Sequence, residues 1–177
     1  MLAASFSMCS FAQYSNAQNN TQTYHETKEA ALKASGLDVY ASKKNDRVIN
    51  AAAKNTDEIK AELADSFAGT WIKYDEHKVA HQVVAIKGGG NLTKISNAPE
   101  NGFLIVDVKY SYQELEATRE KILTLFNKLS NGGEQLIFGI AIDDEKNKLV
   151  IRGYQQNLEF IKSKILISGI EEDIISL

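Results

Sequence analysis

The sequence predicts an α+β protein: an N-terminal helical segment, then two small lobes of antiparallel β-hairpins packed on helices. Three observations predict this. Up to Ser66 the apolar residues recur at helical spacing, whereas from Phe67 aromatic and β-branched residues take over. An apolar strand, an acidic turn and a returning apolar strand occur twice, in 71–79 and in 140–149. Between them, 112–129 carries Leu115, Ile122, Leu125, Phe126 and Leu129 on one helical face. Hairpins with segregated helices pack one face of each sheet and leave the other face, or an edge strand, to water or a partner.

The chain divides into 1–12, a signal-peptide-like segment; 13–22, a polar linker; 23–66, a helical segment; 67–132, a first α+β lobe; and 133–177, a second. Segment 1–12 is apolar and ends Ser10-Phe11-Ala12, with small residues at the two positions that define a cleavage site after Ala12. It lacks a basic start, and its other reading is a short buried helix. The signal-peptide reading makes the protein secreted or periplasmic. The single cysteine, Cys9, rules out an intramolecular disulfide and a multi-cysteine metal site.

In the helical segment, Thr23 and Glu26 have the spacing of a capping box, Ala30, Ala31, Leu32 and Ala34 follow, and Gly36 is the stop. A second helix is expected over 46–65, with Val48, Ile49, Ala52, Ile59 and Leu63 at helical spacing. Strands follow at 69–74 and 79–86, joined by the turn 75–78. Gly88-Gly89-Gly90 breaks the second strand, and after Pro99, the only proline, 103–108 reads as a well-buried strand. The helix 112–129 stops at Asn131-Gly132-Gly133. The second hairpin, 136–142 and 148–151, precedes a helix at 155–166 and a short strand at 173–177. Two hairpin-plus-helix lobes are what a duplication would leave.

With 177 residues and ordinary apolar and charged fractions, the chain can bury a core. Its net charge of -3, with interspersed signs, leaves no footprint for nucleic acid and no basic stripe for an anionic membrane surface. No stretch approaches the ~18 apolar residues of a membrane span.

The sequence supplies no catalytic constellation. There is no Gly-x-Ser-x-Gly elbow, and His25 sits in a polar N-terminal region. His77 and His81 straddle a turn and a strand, where four residues span about 13 Å and cannot share a metal. Gly88-Gly89-Gly90 leads into no helix and matches no phosphate-binding pattern. Asp143-Asp144-Glu145 lacks the ligand spacing of a calcium loop. Glu114, Glu116 and Glu120 alternate with Arg119 and Lys121 as a solvated helix face. Trp71, Tyr74 and Phe103, on strands, read as core rather than partner contacts. The expectation is a binding protein, not an enzyme, with no cofactor, no metal and no small-molecule substrate.

Residues 66–72, Ser-Phe-Ala-Gly-Thr-Trp-Ile, followed by Tyr110-Ser111-Tyr112-Gln113-Glu114-Leu115 and by 143–150, form an ordered set of motifs. Together they resemble the pro-region of secreted bacterial chymotrypsin-like serine proteases of the alpha-lytic protease and streptogrisin type, over about 57–177. The resemblance implies a protein that lowers the folding barrier of a chymotrypsin-like serine protease and then inhibits it. It also implies the mode: the second lobe's sheet adds to a hairpin of the protease, and the C-terminal residues enter its active site as a cleaved product would. That is β-augmentation, in which main-chain hydrogen bonds give affinity and alternate side chains give selectivity. Carried onto this chain, the contact residues are Phe138, Ile140, Ile142, Leu149 and Ile151 of the hairpin and Ile174, Ile175, Ser176 and Leu177 of the tail. The tail's other reading is an ordinary terminal strand. No protease module follows Leu177, so the expected action is in trans, with a fragment of a precursor or pseudogene as another reading. The competing expectation is a secreted interaction domain with a non-protease partner.

Overall fold

The computed structural model describes residues 27–93, 95–130 and 135–177. The signal-peptide segment, the linker, the Thr23–Glu26 pair, His25 and the stop at 131–133 lie outside the described residues. Helix α1 (Lys28–Ala34) is capped by Thr27, whose Oγ1 accepts from the Ala30 N–H at 3.1 Å. It ends at Gly36, which takes φ +70° while the Leu37 N–H reaches back to the Leu32 carbonyl at 2.9 Å. Helix α2 (Lys43–Leu63) begins earlier than its apolar pattern suggests, because the Ser42 hydroxyl accepts from the Asn45 N–H and nucleates the first turn there.

Two three-stranded mixed sheets follow, which makes the protein α+β. The first consists of β1 (Phe67–Tyr74), β2 (Ala80–Lys87) and β3 (Phe103–Val108), with β2 central, antiparallel to β1 and parallel to β3. The second consists of β4 (Ile137–Asp143), β5 (Lys148–Gly153) and β6 (Ile175–Ser176), with β5 central and the same pairing senses. Helix α3 (Tyr112–Ser130) joins the sheets, and α4 (Leu158–Ile167) makes the crossover from β5 to β6.

The helices decide where the apolar surface goes. Ile59 of α2 packs on Phe67, Val84 and Ile86 to form the first core. Although α3 follows the first sheet in the chain, it buries Leu115, Ile122 and Phe126 with Leu149, Ile151, Ile161 and Ile165 of the second lobe. Each such side chain contributes about 1.5–3 kcal/mol of burial. Gly153 lets α4 come this close, since a Cβ there would lie 2.6 Å from Ile161 Cδ1.

One sequence expectation needs correction. The 103–108 strand is an edge strand, and Leu104 and Ile105 are 43% and 38% exposed. A continuous apolar run has the same pattern in a central strand and in an edge strand, and here β2 occupies the centre. The connection before β3 has no helix or strand among its described residues and is held along one polar stripe of α2. Arg47 pairs with Glu100 at 3.0 Å, Asn55 Nδ2 donates to the Asn97 carbonyl, and the Glu58 and Glu62 carboxylates accept the Ser96 and Thr93 N–H groups.

Within the first core, Asn55 and Gln82 are buried and exchange two amide hydrogen bonds of 2.8 Å, with Gln82 also donating to Thr70 Oγ1. The pair ties the middle of α2 to the central strand. Gln82→Leu leaves the Asn55 Oδ1 without its donor and is expected to cost about 1–3 kcal/mol. Asn55→Leu combined with Gln82→Leu is expected to cost less than the sum of the single changes, as read from urea unfolding midpoints.

Candidate protein-binding edge

The second sheet leaves the outer side of β4 unpaired among the described residues. Pairing with β5 sets Ile140 opposite Ile151 and Ile142 opposite Leu149, with all four facing the helices. Ala141 and Arg152 lie on the other, solvent-facing side. A register shift between Ile137 and Gly139 pushes Phe138 out of this alternation. Its ring is 56% exposed and meets Tyr154 edge-on at 5.5 Å between centroids. Beside the strand, a groove of about 160 Å3 runs to the C-terminal half of α3. Leu123, Phe126 and Ile137 form its apolar floor, and Asn127, Ser130 and Gln135 its polar rim. An extended segment laid along β4 would meet free main-chain groups, an aromatic pair and a side-chain recess.

The nine residues expected to contact a partner separate into two sets. Leu149, Ile151, Ile174 and Ile175 are buried, so their side chains serve the core and only their main chain can meet another protein. Ile140, Ile142 and Ser176 are half-buried, while Phe138 and Leu177 are exposed, Leu177 at 41%. The tail is held as a strand: Ile175 and Ser176 pair with Leu149 and Val150. Just before it, Lys109 Nζ donates to Glu171 at 2.8 Å and to Asp173 at 2.6 Å, and the Tyr110 hydroxyl lies within hydrogen-bond reach of both carboxylates. The Lys109 ammonium and then the Tyr110 hydroxyl hold Asp173 down at about 2, and the same two groups lower Glu171. Burial, then the Asp173 carboxylate, pushes Tyr110 up to about 12. The groove residues Leu123, Asn127, Ser130 and Gln135 and the partner ring Tyr154 went unseen in the sequence, because nothing local says that α3 lies beside β4.

The motif residues behind the family resemblance have structural tasks. Ser111 and Glu114 form a reciprocal capping box: Ser111 Oγ accepts from the Glu114 N–H, and Glu114 Oε2 accepts from the Ser111 N–H at 2.8 Å. Asp143 closes its hairpin turn by accepting from the Lys146 N–H, and the Lys146 ammonium and N–H lower its pKa. Asn147 takes φ +52° and holds Tyr110 by both main-chain groups, at 2.9 and 2.8 Å. Asp144 is pushed up by burial, an effect the Thr70 main chain only partly offsets. A Cβ on Gly69, at φ +145°, would lie 2.8 Å from Asp144 Cγ.

The histidines stay apart. His77 is exposed in the turn, whereas His81 lies 3.2 Å from Asp75 and 3.0 Å from Asn101. Among the described residues, no three His, Cys, Asp or Glu side chains are placed to hold a metal ion, and no helix is long and apolar enough to cross a membrane.

Two outcomes follow from these contacts. The depressed carboxylates at 171 and 173 contribute stability that is present above their ordinary values and lost as pH falls from about 4.5 to about 2. Lys109→Met is expected to flatten that acid loss relative to wild type in pH-dependent thermal melts. Gly69→Ala is expected to cost about 1–3 kcal/mol in urea unfolding through backbone strain and the Asp144 overlap, with Asp144→Ala restoring the steric part.

No protein-family model matches the chain, and no curated protein matches it.

Proposed function

We propose that this is a secreted or periplasmic protein of the protease pro-region type. In this reading it acts in trans as an inhibitor, a folding chaperone or both for a chymotrypsin-like serine protease, and it binds by β-augmentation at β4. The observation that carries the reading is the β4 edge, unpaired among the described residues, with exposed Phe138 and the apolar groove beside it. An edge of this kind supplies main-chain donors and acceptors together with a pocket for one alternate side chain of an added strand. The motif resemblance supports the same lobes and hairpins.

A second reading, a secreted interaction domain with a non-protease partner, is favoured by a specific observation. Gly69, Ser111, Glu114, Asp143 and Asn147 are all engaged inside the molecule, so the shared motifs speak for the fold more directly than for the partner.

The test is inhibition and refolding of a bacterial chymotrypsin-like protease by residues 13–177 added as a separate chain. Stoichiometric inhibition or faster recovery of activity is expected. Phe138→Asp should weaken either effect by at least about tenfold, ~1.4 kcal/mol, without lowering Tm. Deleting Leu177 alone tests the tail while sparing the buried Ile174 and Ile175. A chain that neither inhibits nor assists any such protease would leave only the second reading.

A further inference from the structure

β3 differs from β1, the other edge of its sheet, in having no guard among the described residues. On β1, the Asp144 side chain lies against Gly69 and a register shift there breaks the edge. Bulges and charges of this kind are how sheet edges avoid adding strands. β3 has no register shift, proline or lysine, and its one charge, Asp107, accepts the Gly89 N–H at 2.9 Å. Its side chains are apolar on both faces, with Leu104 exposed on one and Ile105 on the other. On the α2 side, a groove of about 360 Å3, floored by Leu92, Ile95 and Phe103, opens beside Ile105.

We infer that two copies of this chain associate through β3, pairing antiparallel about a two-fold axis at Ile105 to make one six-stranded sheet. The sequence of the strand selects a second copy as its occupant. In this register Leu104 lies opposite Val106 on one face, and Ile105 meets its counterpart on the other. Asp107 lies opposite Phe103 and never faces another carboxylate. The strand is flanked by Glu100 at its start and Lys109 at its end, so antiparallel pairing brings each Glu100 beside the other copy's Lys109. Both already belong to ion pairs, which the dimer would extend into networks across the axis. The interface is isologous and closes on itself, so pairing stops at two copies. Ile105 and Phe103 of each copy would then pack beside the other's groove. The β4 edge stays free, so the dimer is independent of the proposed function.

Sedimentation velocity of the full chain over a concentration series is expected to show a monomer–dimer equilibrium. Ile105→Lys sets two ammonium groups against each other on the axis and is expected to raise the dimer Kd by at least about tenfold. A conservative second measurement uses cysteine in a Cys9→Ser background. Ile105→Cys brings opposite Cβ atoms to about 4.5–5.5 Å, so mild oxidation is expected to yield a disulfide dimer. Asp107→Cys places its pair about 13 Å apart and is expected to stay uncrosslinked. Equal crosslinking of the two variants, or a monomer at every concentration, overturns the proposal. A chain that dimerises only after residues 1–26 are removed would assign the edge to that segment and overturns it as well.

Discussion

A carboxylate half-buried at a hairpin tip depends on the polar groups beside it, and Asp144 comes up against the Gly69–Thr70 main chain of the other lobe. The approach is possible because Gly69 has no Cβ to occupy the space taken by Asp144. On the far side of the same tip, Asn147 holds Tyr110 by both backbone groups, and the neighbouring Lys109 binds the acidic residues that lead into the last strand. The tip of one sheet is thereby joined to the base of the other through groups of fixed geometry. The capping box at Ser111 starts α3 one residue beyond that joint, so the direction of the helix, and with it the groove beside β4, depends on the same contact.

The two lobes share a plan that reaches into the backbone. Each runs helix, hairpin, third strand, with the third strand parallel to the second. β1 and β4 begin seventy residues apart, and each carries its register shift two residues in, at Gly69 and Gly139. The plan diverges at the crossover. β5 reaches β6 through α4, which adds Ile161 and Ile165 to the core, whereas β2 reaches β3 through a connection pinned to α2 by polar groups. Among the described residues the first sheet therefore has no second covering helix, and the apolar strand β3 is exposed at its edge.

The same comparison separates fold from function. Gly69, Ser111, Glu114, Asp143 and Asn147 shape turns, start a helix and join lobes. Selection for such geometry leaves recurrent motifs whatever the partner. The proposed binding chemistry lies elsewhere, where the outer edge of β4 is unpaired among the described residues and Phe138 is exposed beside Tyr154. Phe138 occupies the shifted position that Ala68 holds in the first sheet, where the small side chain is fully buried. In the second lobe the residue at that position, Phe138, is exposed instead.

The α+β class, both hairpins, the stop at Gly36 and the apolar face of α3 were legible in the sequence, because period, turn composition and glycine conformation act within a few residues. The capping residues Thr27, Ser42 and Ser111 are equally local. Strand order was not legible. Phe-Leu-Ile-Val-Asp-Val would serve a central strand as well as an edge, and only the pairing of β2 on both sides made it an edge. Nor could the pattern of Leu149, Ile151, Ile174 and Ile175 tell a partner surface from a core, since alternation gives the face of a strand and not what covers it. Sequence by itself determined the elements, through short-range sterics and hydrogen bonding. The tertiary structure decided which edges stay open, because that depends on residues far apart in the chain competing for the same apolar faces.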